Sequence, residues 1–273
     1  MAQHPFSAVA GLPGVADAVA EARALVDQLL SHRVLRRRSS QVSAESALRG
    51  ARASAALDGA DWSLEEIRRR TNFANEPSGL VVEGALRVFA EFGQLLRTWE
   101  KAPLQVLARL HVLAAAGLAE PERLGRPRLP GEPVAGPPEL GEPPAPVEVS
   151  ARLNQLADLL VRDTLRDSAV PALVVAALVH GEVLALRPFP CANGVVARAA
   201  QRLVLISRGL DPKGVSVPEA GHYELGTEAY AAAARQYMSG TPDGVAAWVR
   251  HCAAAVGIGA REGLAVCEAL QRG

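Results

Sequence analysis

Leu186-Arg187-Pro188-Phe189-Pro190-Cys191-Ala192-Asn193-Gly194-Val195-Val196-Ala197-Arg198 joins one apolar helical stretch to another through a proline-rich turn, with an Asn-Gly pair at the start of the second stretch and an arginine one turn in. Asn-Gly tolerates positive φ, so successive backbone N–H groups can converge into an anion nest at a helix N-terminus, where the macrodipole also favours negative charge. On these residues alone, a plain turn and cap competes with that reading.

Outward from this turn, apolar residues recur with helical spacing at about 14–31, 43–58, 63–70, 79–98, 103–117, 149–165, 171–186, 194–209, 222–239 and 243–270. Aromatic residues make up only 4% of the chain, and Ala, Leu, Val and Arg dominate, which favours helices packed through small and branched side chains. The expectation is an all-α fold. Ser43 before AESALRGA and Ser63 before LEEI read as N-caps, the latter with Glu66 as a capping-box partner. The pattern breaks from Pro121 to Pro146, where nine of the nineteen prolines fall, and neither a helix nor a central strand can run through such a segment. Composition alone leaves it open as a linker between two helical halves.

The 273 residues carry 29 basic and 29 acidic side chains and are 49% hydrophobic, enough for one generous core with a helical appendage. No run of about eighteen uncharged apolar residues occurs, so no membrane association is expected. MAQHPFSAVAGLPG lacks the basic and long apolar regions of a signal peptide, and a cytoplasmic location is expected. Cys191, Cys252 and Cys267 are scattered without a CxxC, which indicates neither a disulfide framework nor a zinc site. Arg36-Arg37-Arg38 and Arg68-Arg69-Arg70 are short runs in a neutral chain, a solvated face rather than a nucleic-acid stripe. His111 and His180 lie in apolar helices and read as core histidines, and His222 and His251 show no metal-ligand spacing. No Ser-His-Asp arrangement, Walker loop or Rossmann fingerprint stands out.

Residues 187–198 resemble the signature of the Fic (Fido) family, His-Pro-Phe-x-Asp/Glu-Gly-Asn-Gly-Arg-x-x-Arg, in degenerate form. His180 stands where the family often carries a histidine on the preceding helix, and Tyr223 to Val249 is similar to its closing helices. Ser54-Ala55-Ala56-Leu57-Asp58-Gly59 is similar to the inhibitory Ser/Thr-x-x-x-Glu-Gly motif of some members. The resemblance covers about residues 40–255 in the family's order. It implies a Fic-like helical domain at 41–270, after an N-terminal helical extension at 1–40, with an inhibitory-type helix at 43–59. It also implies a β-hairpin flap near Gly125-Arg126-Pro127-Arg128, although the prolines of 121–146 oppose a clean row of N–H donors.

The activity implied by the resemblance is transfer of AMP from ATP to a protein hydroxyl, with the signature histidine as general base. Arg187 occupies that position, and a guanidinium stays protonated and cannot accept the hydroxyl proton, a loss worth about 10²–10⁴ in rate. Cys191 replaces the acidic residue that holds Mg²⁺, and a soft thiol is a poor ligand for that ion. Ala192 replaces a phosphate-approaching glycine, and Val195 replaces an arginine. Asn193, Gly194 and Arg198 remain as the expected nucleotide- or anion-binding residues, and no metal site is expected. In the resembled proteins the inhibitory glutamate pairs with the second signature arginine, so Asp58, supported by Ser54 one turn earlier, is expected to do so with Arg198; an exposed cap-like aspartate is the competing reading.

Three functions follow as alternatives: a catalytically degenerate regulatory protein that binds ATP or another phosphate-containing anion without Mg²⁺, an active transferase of non-standard chemistry, or a helical protein-interaction module with a relic pocket. Cys191 is also a nucleophile candidate, since a helix N-terminus and a neighbouring arginine lower a thiol's pKa. The partners expected are a small-molecule anion or nucleotide and a protein, with the oligomeric state open.

Overall fold

A computed structural model describes residues 5–165 and 170–272. Residues 1–4 of the expected N-terminal extension and 166–169 of the expected main domain lie outside the described residues. Among the described residues there are thirteen α-helices and no strand. They are α1 (Pro5–Ala10), α2 (Val15–Leu30), α3 (Ser39–Leu57), α4 (Leu64–Arg69), α5 (Pro77–Ala90), α6 (Phe92–Trp99) and α7 (Pro103–Ala115), followed by α8 (Pro146–Leu165), α9 (Ala172–Leu186), α10 (Asn193–Ser207), α11 (Pro218–Leu225), α12 (Thr227–Met238) and α13 (Pro242–Arg272). The all-α expectation is met.

Local chemistry explains most of the boundaries. The Ser63 hydroxyl accepts the Glu66 N–H at 3.2 Å while the Glu66 carboxylate accepts the Ser63 N–H at 2.9 Å, so α4 starts with a full capping box. Proline opens α5, α7 and α11, where its fixed φ fits and its missing N–H costs nothing. The Ser43 cap is a correction: α3 begins at Ser39, and Ser43 lies inside it. The cause is tertiary, because Arg38 O already accepts the N–H groups of Gln41 and Val42, and Val42 is fully buried in the core. The expected helix at 79–98 divides at Glu91, whose carboxylate takes Arg109 of α7, and the one at 222–239 divides at Gly226 (φ 98°).

Helix α9 is apolar on every side and almost wholly buried, as a helix with no solvent face must be. It packs between α10 and the long α13, with α12 alongside. The Trp248 indole N–H on α13 donates to Ala177 O on α9 at 2.7 Å, which lets a large, fully buried ring keep its polar atom satisfied. Helix α3 packs on α5 and α11 and brings its C-terminal end to the N-terminus of α10. The loop joining α9 to α10, residues 187–192, thus sits where three helix ends converge.

Residues 121–146 form short 3-10 turns at Pro121–Arg123 and Pro138–Leu140. The implied β-hairpin is absent among the described residues, and the segment instead lies along the α9–α10 loop. Arg128 N donates to Pro188 O at 2.8 Å, and Ala135 N to Pro190 O at 2.7 Å. Prolines supply carbonyls on both sides but few donors, so two such bonds are made rather than a ladder. No helix of the described residues is long and apolar enough to cross a membrane.

Candidate functional site

The loop is fixed by its own polar groups. Asn193 Oδ1 accepts the Phe189 N–H at 3.0 Å and Nδ2 donates to Phe189 O at 2.8 Å, closing the turn into α10. The amide expected to hold an anion therefore serves as a clip. His111 stacks on Phe189 with ring centroids 4.2 Å apart and accepts the Gly125 N–H at 2.9 Å, tying α7 and the proline-rich segment to the same loop.

Positive φ falls elsewhere than the Asn-Gly pair. Asn193 and Gly194 are already helical, and the left-handed residues are Arg187 (φ 41°) and Ala192 (φ 57°). Ala192 stands where the resembled signature has glycine, and left-handed backbone costs an L-residue about 1–2 kcal/mol. Ala192→Gly is expected to relieve part of this, offset by added unfolded-state entropy, for a net gain of about 0.5–1 kcal/mol in denaturant unfolding.

Helix α10 starts with N–H groups in its first turn that have no partner within the helix, and Asp58 meets one of them. Asp58 Oδ2 accepts the Val195 N–H at 3.2 Å, and Oδ1 accepts from Arg198 Nη2 at 2.6 Å. A Cβ on Gly194 would lie 2.2 Å from Asp58 Oδ1, so only glycine admits the carboxylate so close to the helix end. Arg198, 1% exposed, also donates to Ser54 Oγ and Ser54 O, each at 2.8 Å, and to the Tyr230 hydroxyl at 3.3 Å. Burial works against its charge, and Asp58 and Tyr230 more than offset this, so the pKa of Arg198 is raised. Asp58 is held at the end of α3 by a Schellman turn, in which Ala60 N donates to Ala55 O and Gly59 N to Ala56 O, with Gly59 at φ 89°. The sequence-expected residues Ser54, Asp58, Gly194 and Arg198 thus come together; the exposed-cap reading of Asp58 does not hold.

Arg187 closes the other side. It is 5% exposed, and its Nη2 donates to Leu140 O at 3.3 Å. Burial first, and then Arg128, lower its pKa from that of free arginine. Cys191 is half-buried, and burial raises its pKa against the opposing pull of Arg123, the direction opposite to that of an activated nucleophile. To a hard cation, Cys191 offers only a soft sulfur. Between Arg187 and the Asp58–Arg198 pair lies a cavity of about 990 Å³, with Leu57, Val81, Leu118, Leu184 and Ala231 on its walls and Glu139, Glu228 and Arg235 at exposed positions around it.

Behind the site, packing brings together polar side chains from separate helices, a grouping that their positions along the chain did not reveal. The Tyr230 hydroxyl lies 2.7 Å from His180 Nε2, His222 Nε2 lies 3.0 Å from Gln201 Oε1, and His222 Nδ1 lies 3.2 Å from His251 Nε2. His180, His222 and Cys252, all buried, each bring one metal-capable atom within 4.8 Å of the others, a grouping their spacing along the chain concealed. Burial first, and then Arg198, lower the pKa of His180 well below that of a free imidazole.

His111 and His251 are each lowered by burial from 6.5 to about 4. A histidine whose folded pKa is depressed contributes fully above its unfolded pKa and loses that contribution as pH falls toward the folded value. Stability is therefore expected to fall between pH 6.5 and about 4. For fully buried His111 the loss amounts to up to roughly 3 kcal/mol. Urea midpoints across this range check it, and His111→Phe should flatten the slope.

The site is thus the Asp58 carboxylate at the N-terminus of α10, paired with one buried arginine and facing a second, Arg187, in the same cavity of an all-helical domain. Solved structures of Fic proteins share the fold. A Fic family protein from Desulfovibrio desulfuricans G20 superposes with a TM-score of 0.70 at 20% identity, over 93% of this chain and 75% of that one. Fic-1 (residues 134–508) from C. elegans gives 0.66 at 19% identity, over 92% and 71%. A Fic domain containing signaling protein from Bacteroides thetaiotaomicron gives 0.62 at 13% identity, over 92% and 98%. No protein-family sequence model matches the chain, and no curated protein matches it. The chain has the Fic fold.

Proposed function

We propose that this is a catalytically degenerate Fic-like regulatory protein that binds a nucleotide or another anion without Mg²⁺, and that its own Asp58 competes for the seat. The observation that carries the reading is the Asp58 carboxylate, which joins the Arg198 guanidinium to the Val195 N–H at the start of α10. An anionic ligand group would meet the same donors after Asp58 moves aside. Three features support loss of AMP transfer: Arg187 cannot act as a base, Cys191 cannot anchor Mg²⁺, and the proline-rich segment spends backbone donors on the loop instead of on a target peptide.

The test is incubation with ATP labelled in the α-phosphate, with and without Mg²⁺, following label on protein and release of AMP. The wild type and Asp58→Ala are both expected to transfer nothing. Label transferred by either would contradict the degenerate reading. A variant combining Arg187→His, Cys191→Asp, Ala192→Gly and Val195→Arg asks whether these four positions alone block the chemistry.

A further inference from the structure

The described residues hold four arginines that are 6% exposed or less, and they fall into two kinds. Arg198 and Arg202 each face a carboxylate, Asp58 at 2.6 Å and Glu219 at 2.8 Å. Arg128 and Arg187 do not. Arg128 donates Nε to Arg187 O at 3.0 Å and Nη2 to Pro144 O. Arg187 makes one 3.3 Å side-chain bond, to Leu140 O, and its Nε is buried with no partner. Glu142 attracts Arg187 from beyond ion-pair distance, against the repulsion of Arg128. A buried cation without a counter-charge is expensive, and Arg187 carries left-handed backbone strain in addition. It is also the one of the two that lines the 990 Å³ cavity.

The structure assigns Arg187, we infer, as the seat for the head of a monoanionic amphiphile, a medium-chain carboxylate, whose apolar body lies along Leu57, Val81, Leu118 and Leu184. This rests on the reading of the cavity as a ligand site, and it locates a subsite separate from the seat filled by Asp58. Arg128 is held by backbone carbonyls and does not line the cavity, so a single guanidinium there calls for one negative charge. Glu139, next to the Leu140 carbonyl that holds Arg187, opposes a second negative charge at this end, while the apolar walls match a hydrocarbon body.

The experiment is calorimetric titration of the full chain with octanoate and, as an uncharged analogue, 1-octanol. Octanoate is expected to bind at least about tenfold more tightly, and Arg187→Gln to erase the difference while leaving octanol unaffected. Gly136→Asp gives a second, fold-preserving arm. Gly136 is exposed, and a Cβ there would lie 3.6 Å from Arg187 Cδ and 4.0 Å from Nη1, so the new carboxylate would reach the guanidinium. That variant should raise the Tm and abolish octanoate binding. Equal affinity for the two probes, octanoate binding indifferent to Arg187→Gln, or no rise in Tm for Gly136→Asp would overturn the assignment. ATP binding by Asp58→Ala reads the Arg198 seat alone, so silence toward octanoate beside binding of ATP overturns the Arg187 subsite and leaves the proposed function standing; silence toward both overturns both.

Discussion

Asp58→Ala is expected to destabilise the ligand-free protein by about 3 kcal/mol, because it leaves Arg198, 1% exposed, without a counter-charge. The value sits at the low end for a broken buried pair, since the Asp58 side chain is itself 21% exposed and Ser54 still accepts two bonds from the guanidinium. In a chain of this size the loss corresponds to a fall in Tm of roughly 6–12 °C. An anion that takes the seat should reverse most of it: at about a hundred times its Kd, a ligand contributes about 2.7 kcal/mol. Wild-type protein, with the seat already filled, should show a much smaller shift with the same anion. Thermal melts of the two proteins in ATP and in inorganic phosphate check this. Asp58→Asn, which removes the charge and keeps the shape, should behave like the alanine variant.

Glu219→Ala is expected to cost about 3–5 kcal/mol, the largest single-site effect outside the apolar core. Its carboxylate meets Arg202 at 2.8 Å with both side chains essentially buried, and this pair joins α10 to α11. Arg202 also packs over Phe89 and Phe92 and donates to Gly214 O at 3.0 Å, so it cannot swing out to solvent when Glu219 is removed. Burial raises the pKa of Glu219 despite Arg202, which marks how costly the buried charge is. Replacing both partners together, Arg202→Met with Glu219→Leu, should recover much of the loss, and a double-mutant cycle by urea unfolding measures the difference. Because neither residue lines the cavity, ligand affinity of the folded fraction should stay unchanged.

Most of the helical architecture was legible because the apolar period is strong and the punctuation is local. Pro77, Pro103 and Pro218 open helices, Ser63 and Glu66 cap one, and the prolines of 121–146 exclude a helix there. The boundaries that moved did so for tertiary reasons: burial of Val42 carries α3 back to Ser39, and Arg109 draws Glu91 out of a continuous helix. At the site, the partnership of Asp58 with Arg198 was legible from the resemblance of two distant motifs. The sharing of the Val195 N–H, the positive φ at Ala192 instead of at Asn193 or Gly194, and the clip role of the Asn193 amide were not, since each depends on how the loop closes. The cluster of Gln201, His222, Tyr230 and His251 behind Arg198 was hidden for a different reason. These residues lie on four helices, and only packing brings their polar atoms together.

In the proposed function the α10 N-terminus and Arg198 form an anion seat that Asp58 occupies. Calorimetric titration of ATP into the wild type and into Asp58→Ala, each with and without Mg²⁺, measures this directly. Binding that is weak or absent in the wild type, appears in Asp58→Ala, does not require Mg²⁺ and disappears when Arg198→Ala is added is the predicted result. No heat from Asp58→Ala under either condition, in a protein that melts cooperatively, would contradict it.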